Sequence, residues 1–220
     1  MADELILYTN PMSRGRVARW MLEEIGQPYR AEIVEYARMK APEYLAINPM
    51  GKVPALRHGE TLVTECAAIC AYLADAFPEA GLAPPHGSRL RGPYYRWLFF
   101  AAGPVEAAIT DKALGVTIRP EHVRMVGYGT REHALAALED QLALSEYIAG
   151  DRFTAADVYV GSQIMFPLQF GMLPERDSFL RYRDRLQQRP AYKRANEIDE
   201  KIIAETQAPP PTIATLNQPA

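Results

Sequence analysis

The sequence predicts a mixed α/β unit followed by an all-α unit. Three observations predict it. Short apolar, β-like runs alternate with amphipathic helical segments up to Phe77. A proline- and glycine-dense stretch, PEAGLAPPHGS, then breaks the pattern at residues 78–88. Beyond it the apolar residues recur at helical spacing and no strand-like run follows.

Leu5–Thr9 (LILYT) is the first strand. After it Val17, Met21 and Ile25 recur at i, i+4 and i+8, with Ala18 and Leu22 beside them, which makes an amphipathic helix. Ser13 suits its start and Gly26 its end. Gln27-Pro28 restarts the chain into a second strand, YRAEIVEY (Tyr29–Tyr36), and APEYLAIN (Ala41–Asn48) is a short helix. NPMGKVPAL (Asn48–Leu56) then packs two prolines, a glycine and a lysine ahead of an apolar finish. Pro49 and Pro54 fix φ and remove two donors, while Gly51 frees the backbone. A hairpin turns at Arg57-His58-Gly59-Glu60, and TECAAICAYLADAF (Thr64–Phe77) is a helix. The order is β-α-β-α-β-β-α. A helix joins the first two strands, which should therefore be parallel; a tight turn joins the last two, which should be antiparallel.

The second unit opens with a long helical segment from Ser88 to Leu114, kinked at Pro93 and Pro104. EHALAALEDQLALSEYIAG (Glu132–Gly150) sets Leu135, Leu138, Leu142, Leu144 and Ile148 on one face, with Gly150 ending that helix. In RFTAADVYV, Thr154 is an N-cap with Asp157 at N3, and Phe153 and Val158 sit at N′ and N4. That is a capping box with a hydrophobic staple. The expected boundaries are 1–78 for the first domain, 79–88 for the linker, 89–205 for the helical domain, and a proline-rich, disordered tail at 206–220.

Composition narrows the function. The 220 residues are 48% hydrophobic and 23% charged, as in an ordinary globular protein. A net charge of −3 argues against nucleic acid as a partner. No apolar run nears the roughly 18–20 residues of a membrane span, and MADELILYTN has no secretory pattern, so a cytoplasmic protein is expected. Cys66 and Cys70, four apart on one helix, read as buried small hydrophobes. Four scattered histidines and no Cys/His cluster leave no metal site.

LYTNPMSRGRVARWMLEE, NPMGKVPAL, TECAAICAYLAD, FTAADVYV and RPAYKRA occur in this order and spacing. Over residues 4–205 the chain thereby resembles a cytosolic-type glutathione transferase, bacterial-like and with a serine-type (theta-like) first motif. The resemblance implies a thioredoxin-like first domain that binds glutathione, and an all-helical domain that carries the site for an apolar electrophile. It implies that Pro54 is cis and heads the third strand, leaving the amide and carbonyl of Val53 to pair with glutathione as with an added strand. Glu65 would take the γ-glutamyl ammonium. Cys66 stands where the family usually has Ser, whose hydroxyl and amide take the γ-glutamyl carboxylate; a thiol is the weaker donor. Lys52 would take the glycine carboxylate, with Lys40 as a second cation.

The chemistry such a site needs is a thiolate, because a thiol with a pKa near ~8.5 is mostly protonated at neutral pH. A hydroxyl donor near a helix N-terminus lowers that value. After the first strand the candidates are Tyr8, Thr9, Asn10 and Ser13. Ungapped placement puts Ser13 where serine-type classes keep theirs; Asn10 is second, and Tyr8 is expected to point into the sheet domain. Arg14 or Arg16 would add positive potential. In PYYRWLFF, Tyr94, Trp97 and Phe100 are the candidates for the electrophile site. The family is usually a two-fold dimer, and this sequence does not pick the interface. The rival reading keeps the fold as a non-catalytic ligand-binding or protein-interaction module.

Overall fold

The computed structural model describes residues 4–207. The sheet strands are β1 (Leu5–Thr9), β2 (Arg30–Ile33), β3 (Ala55–His58) and β4 (Thr61–Thr64), in the order β2-β1-β3-β4. β1 and β2 are parallel, and the other pairs are antiparallel, as the connections dictate. The hairpin turn is two residues, Gly59-Glu60, since His58 pairs with Thr61. The helices are α1 (Gly15–Ile25), α2 (Pro42–Leu45), α3 (Cys66–Ala76), α4 (Arg91–Phe100), α5 (Glu106–Ala113), α6 (Arg131–Leu144), α7 (Ala155–Gln169), α8 (Asp177–Gln187) and α9 (Pro190–Gln207). A thioredoxin-like unit is thus followed by a helical one. No described helix is long and apolar enough to cross a membrane. Apart from Thr206 and Gln207, which end α9, the expected tail lies outside the described residues.

β1 shows how the sequence pattern sorts the core. Leu5 and Leu7 face the main core with α1, α3 and the helical unit, whereas Ile6 and Tyr8 face a smaller cluster with Val34, Met39, Tyr44 and Ala55. That is the period-two alternation of a strand buried on both faces. α1 ends at Gly26 in the left-handed conformation (φ 68°), as the Gly26 stop predicts. Cys66 and Cys70 are both buried and unpaired.

Two expectations for the helical unit need correction. Pro93 lies in the first turn of α4 and kinks nothing, while Pro104 sits inside a single π-turn, Ala101–Val105, that joins α4 to α5. A widened turn absorbs the N–H that proline lacks. α6 ends at Leu144, not at Gly150. The Ser145 hydroxyl donates to the Tyr147 carbonyl, and the Ile148 amide donates to the Asp157 carboxylate, so local side-chain bonds replace the last helical turn. Asp157 itself completes the capping box of α7 with Thr154.

α9 returns along α1 and is tied to it by ion pairs. Arg19 and Asp199 meet at 2.9 Å with both side chains buried. Arg16 bonds Glu200 at 2.7 Å and Arg194 bonds Glu23 at 3.1 Å, while Arg189, the residue before α9, bonds Glu24 at 2.6 Å. Burial pushes the Asp199 carboxyl above its usual range, against the pull of Arg19.

Candidate active site

The sheet register gathers the expected site residues at one edge. Tyr8 pairs with Ala55, and Ala55 with Thr64. One residue further on, Thr9, Pro54 and Glu65 therefore stand side by side where β1 ends, β3 begins and β4 ends.

The loop after β1 is set by Asn10. Its Oδ1 accepts from the Met12 amide at 3.0 Å, and its Nδ2 donates to the Val34 carbonyl at 3.1 Å. Both ends of that side chain are thus engaged, Oδ1 within the loop and Nδ2 in fastening it to the chain leaving β2. The Tyr36 hydroxyl braces the same loop by donating to the Met12 carbonyl at 2.9 Å. Ser13 is half-buried at the entry to α1; its Oγ donates to the Asn10 carbonyl at 2.7 Å and accepts from the Gly15 amide at 2.9 Å. A serine hydroxyl has one proton and two lone pairs, so rotation about χ1 can trade the carbonyl for another acceptor. Tyr8 packs against Tyr44 on the far face of the sheet, away from this loop.

Val53-Pro54 is a cis peptide. Neither the amide nor the carbonyl of Val53 has a hydrogen-bond partner among the described residues. The preceding loop is held by side-chain hydrogen bonds. The Tyr44 hydroxyl and Asn48 Nδ2 each donate to the Lys52 carbonyl at 2.7 Å, and Asn48 Oδ1 accepts from the Met50 amide at 3.0 Å. Gly51 has φ 56°, and a Cβ there would come within 2.4 Å of the Met39 carbonyl oxygen, so only glycine fits. The Lys40 ammonium donates to the Met50 carbonyl at 2.7 Å, which sets Lys40 against the loop that presents exposed Lys52.

Glu65 lies at the start of α3 with φ 66° and ψ 122°, the one described non-glycine residue with positive φ. Its carboxylate is exposed and has no partner among the described residues. Such a conformation costs about 1–3 kcal/mol and persists where surrounding structure imposes it. Cys66 follows. Its thiol donates to the Arg14 carbonyl at 3.5 Å and is buried, and burial pushes its pKa up to about 12. It remains a neutral thiol turned towards Arg14. The amides of the first turn of α3 lack intrahelical partners by helix geometry.

The aromatic candidates are placed otherwise. Tyr94 and Trp97 are 0% and 1% exposed and belong to the main core. Together with Leu98, Ala101 and Val105 they form the buried stripe of α4 and the π-turn, so assigning them to a substrate cleft is incorrect. Phe100 is half-buried, edge-on to Trp97 at 5.4 Å. What faces the Ser13 loop from the helical unit is instead polar: Glu106 of α5 pairs with Arg14 at 2.7 Å. A surface hollow of about 450 Å³ lined by Tyr8, Glu32, Val34, Glu35, Arg38 and Tyr44 lies beside β2 and does not contain Ser13, Val53 or Glu65. Two contributors carry no signature in the sequence. Asn48 shows only as an Asn-Pro turn, and Glu106 lies 92 positions from its partner Arg14.

Comparison with known proteins fits this geometry. The family described as "Glutathione S-transferase, N-terminal domain" matches residues 7–81. Glutathione S-transferase GstA of Escherichia coli O157:H7 is 30% identical over 158 residues, covering 70% of this chain and 78% of that protein. The chain belongs to the glutathione S-transferase family. A second family member, glutathione S-transferase GST-4.5 of Xanthomonas campestris pv. campestris, is 31% identical over 162 residues, again covering 70% of this chain and 78% of that one. The solved structure of a sphingomonad glutathione S-transferase complexed with glutathione is 28% identical, with a TM-score of 0.72, and the match covers 89% of this chain and 98% of that one.

Proposed function

We propose that this glutathione S-transferase binds glutathione at the Thr9–Pro54–Glu65 edge of the sheet, stabilises its thiolate at the start of α1, and transfers it to an apolar electrophile. The support for the reading is an unpaired Val53 backbone and an unpaired Glu65 carboxylate at that edge, with Ser13 four residues beyond Thr9 and the Cys66 thiol bonded to the carbonyl of the next residue, Arg14. Glutathione is a short peptide. Its cysteinyl unit pairs with the Val53 amide and carbonyl as an added strand would. Its γ-glutamyl ammonium meets Glu65, and its γ-glutamyl carboxylate meets the first-turn amides of α3, where the helix dipole favours an anion. The Cys66 thiol, engaged with the Arg14 carbonyl, contributes its amide rather than its side chain. The glycine carboxylate meets Lys52, with Lys40 behind it.

The thiol then lies by Ser13. Donation from Ser13 Oγ to sulfur replaces its bond to the Asn10 carbonyl and stabilises the anion over the thiol. Asn10 is the weaker candidate, since its amide is already spent on Val34 and Met12. Support for glutathione as the co-substrate comes from the glutathione complex of the sphingomonad relative. Calorimetric titration tests the site: glutathione binds, and the dipeptide Cys-Gly, which lacks the γ-glutamyl head, binds at least about tenfold more weakly. Equal binding of the two would refute the placement of the head at Glu65.

The reading includes a two-fold dimer. Leu62 on the β4 edge and Leu90, Tyr95 and Phe99 on or beside α4 are exposed apolar side chains that support it. Sedimentation equilibrium giving a monomer at micromolar concentration would refute it.

A further inference from the structure

One polar cluster outside the proposed glutathione contacts joins the two units. Arg14, the residue after Ser13 and the N-cap of α1, pairs through Nη1 with Glu106 Oε1 at 2.7 Å. Glu106 Oε2 accepts from the Tyr159 hydroxyl at 3.2 Å and from Gln163 Nε2 at 3.5 Å, both on α7. Gln163 also donates to the Tyr159 oxygen at 3.1 Å, so the carboxylate is held from behind. The Cys66 thiol on the Arg14 carbonyl steadies the backbone beneath. Arg16, the other nearby cation, reaches Asn196 and Glu200 of α9 through Nη2 while its Nη1 donates to the Pro11 carbonyl of the Ser13 loop at 3.4 Å.

We propose that Glu106 is a positioning residue that holds and neutralises the Arg14 guanidinium beside the first turn of α1, so that the bound thiol is acidified next to a balanced ion pair and not next to a free cation. The proposal rests on the reading that Ser13 and the start of α1 stabilise the thiolate. A lone cation there would acidify the thiol further, and a lone carboxylate would oppose ionisation; paired, they largely cancel. The other titratable groups facing the pair are Glu65 and Cys66 at the start of α3 and Tyr159 on α7. Burial keeps Cys66 and Tyr159 protonated, which leaves Glu65, and Arg16 already paired with Glu200, as the further charged groups near the pair among the described residues.

The signature is a pair of opposite shifts that cancel in the double variant. Glu106→Gln keeps the shape and the oxygen that accepts from α7 but bares Arg14, so the bound thiol becomes more acidic. Arg14→Gln bares Glu106, so it becomes less acidic. For a separation of about 8 Å and an effective dielectric of about 40–80, each shift is roughly 0.4–0.8 pKa units. The double variant returns to the wild-type value, and Arg14→Lys, which keeps the charge, stays close to it. The test is an ultraviolet titration of bound glutathione in these variants, with thermal melts to establish folding. A merely structural pair would lower the melting temperature without opposite thiol shifts. Single variants that leave the thiol unmoved, or move it in the same direction, on a wild type whose bound thiol is acidified, overturn the tuning role alone. An unshifted wild-type thiol overturns the activation reading and the tuning with it.

Discussion

Replacing Asp157 with alanine should cost the fold about 3–5 kcal/mol. Four donors converge on this buried carboxylate: the Ile148 amide at 2.7 Å and the Tyr182 hydroxyl at 2.7 Å on Oδ1, and the Thr154 amide at 2.8 Å and hydroxyl at 3.1 Å on Oδ2. The hydroxyls can re-aim, but the two amides cannot, and each buried orphan costs about 1–3 kcal/mol. Loss of the cap on α7 is the same event seen from the helix, so it is not added again. Asp157→Asn keeps one acceptor oxygen but points an NH2 at donors, and should cost about 2–3 kcal/mol. Urea unfolding at neutral pH measures both. A loss below about 1 kcal/mol for Asp157→Ala would refute the claim that this carboxylate holds the turn at Tyr147–Gly150 to the start of α7.

The same residue carries a pH signature. Burial outweighs its donors and raises the carboxyl from 3.8 to about 6. A carboxyl with a higher pKa folded than unfolded binds its proton more tightly in the native state. Its contribution to stability therefore rises as pH falls from about 6 towards about 4. Asp157→Asn lacks this dependence, so the gap between wild type and variant should widen over that window; a constant gap would contradict the raised value.

Ser13→Ala should lower turnover at neutral pH by about 10- to 100-fold, the worth of one hydrogen bond to a charged group, with glutathione affinity changed less than about threefold. Unchanged turnover would move the activating role to Asn10 or to backbone amides. Glu65→Ala should weaken glutathione binding by about tenfold or more while turnover at saturation is kept. Glu65→Gly should bind as poorly yet melt higher than Glu65→Ala, because glycine accepts φ 66° without the roughly 1–2 kcal/mol cost to an L-residue; equal melts would refute the strain at this position. Gly15→Ala places a Cβ 1.9 Å from Thr9 Oγ1 and should cost about 1–3 kcal/mol by forcing α1 off the end of β1, with Thr9→Ala restoring part of the loss.

What the sequence revealed was local and periodic. The alternation in LILYT sorts its side chains onto two faces, and Thr154 with Asp157 announces α7, because both signals act within a few residues. The hairpin and the parallel first pair follow from connection length alone. The limits are equally physical. Helical spacing marks Tyr94 and Trp97 as one stripe but cannot say whether core or cleft lies opposite, and α4 turns that stripe to the core. Leu144 and Ile148 continue the apolar spacing of α6, yet Asp157 captures the Ile148 amide and the helix stops short. The resemblance supplied Pro54, Glu65 and Ser13 as candidates; the register of β1, β3 and β4 sets Pro54 and Glu65 beside the end of β1, and the Cys66 thiol on the Arg14 carbonyl ties the start of α3 to the residue after Ser13. Glu106 had no local signal, since its role depends on a partner brought near only by docking of α5 against the Ser13 loop.

The proposed activation requires the start of α1 to hold glutathione as a thiolate. An ultraviolet difference titration of bound glutathione against pH, on wild type and on Ser13→Ala, tests it most directly and needs no knowledge of the electrophile. The bound thiol should titrate well below ~8.5 in wild type and move back towards that value in Ser13→Ala. Glutathione bound with an unshifted thiol, or the same low value in both proteins, would contradict it.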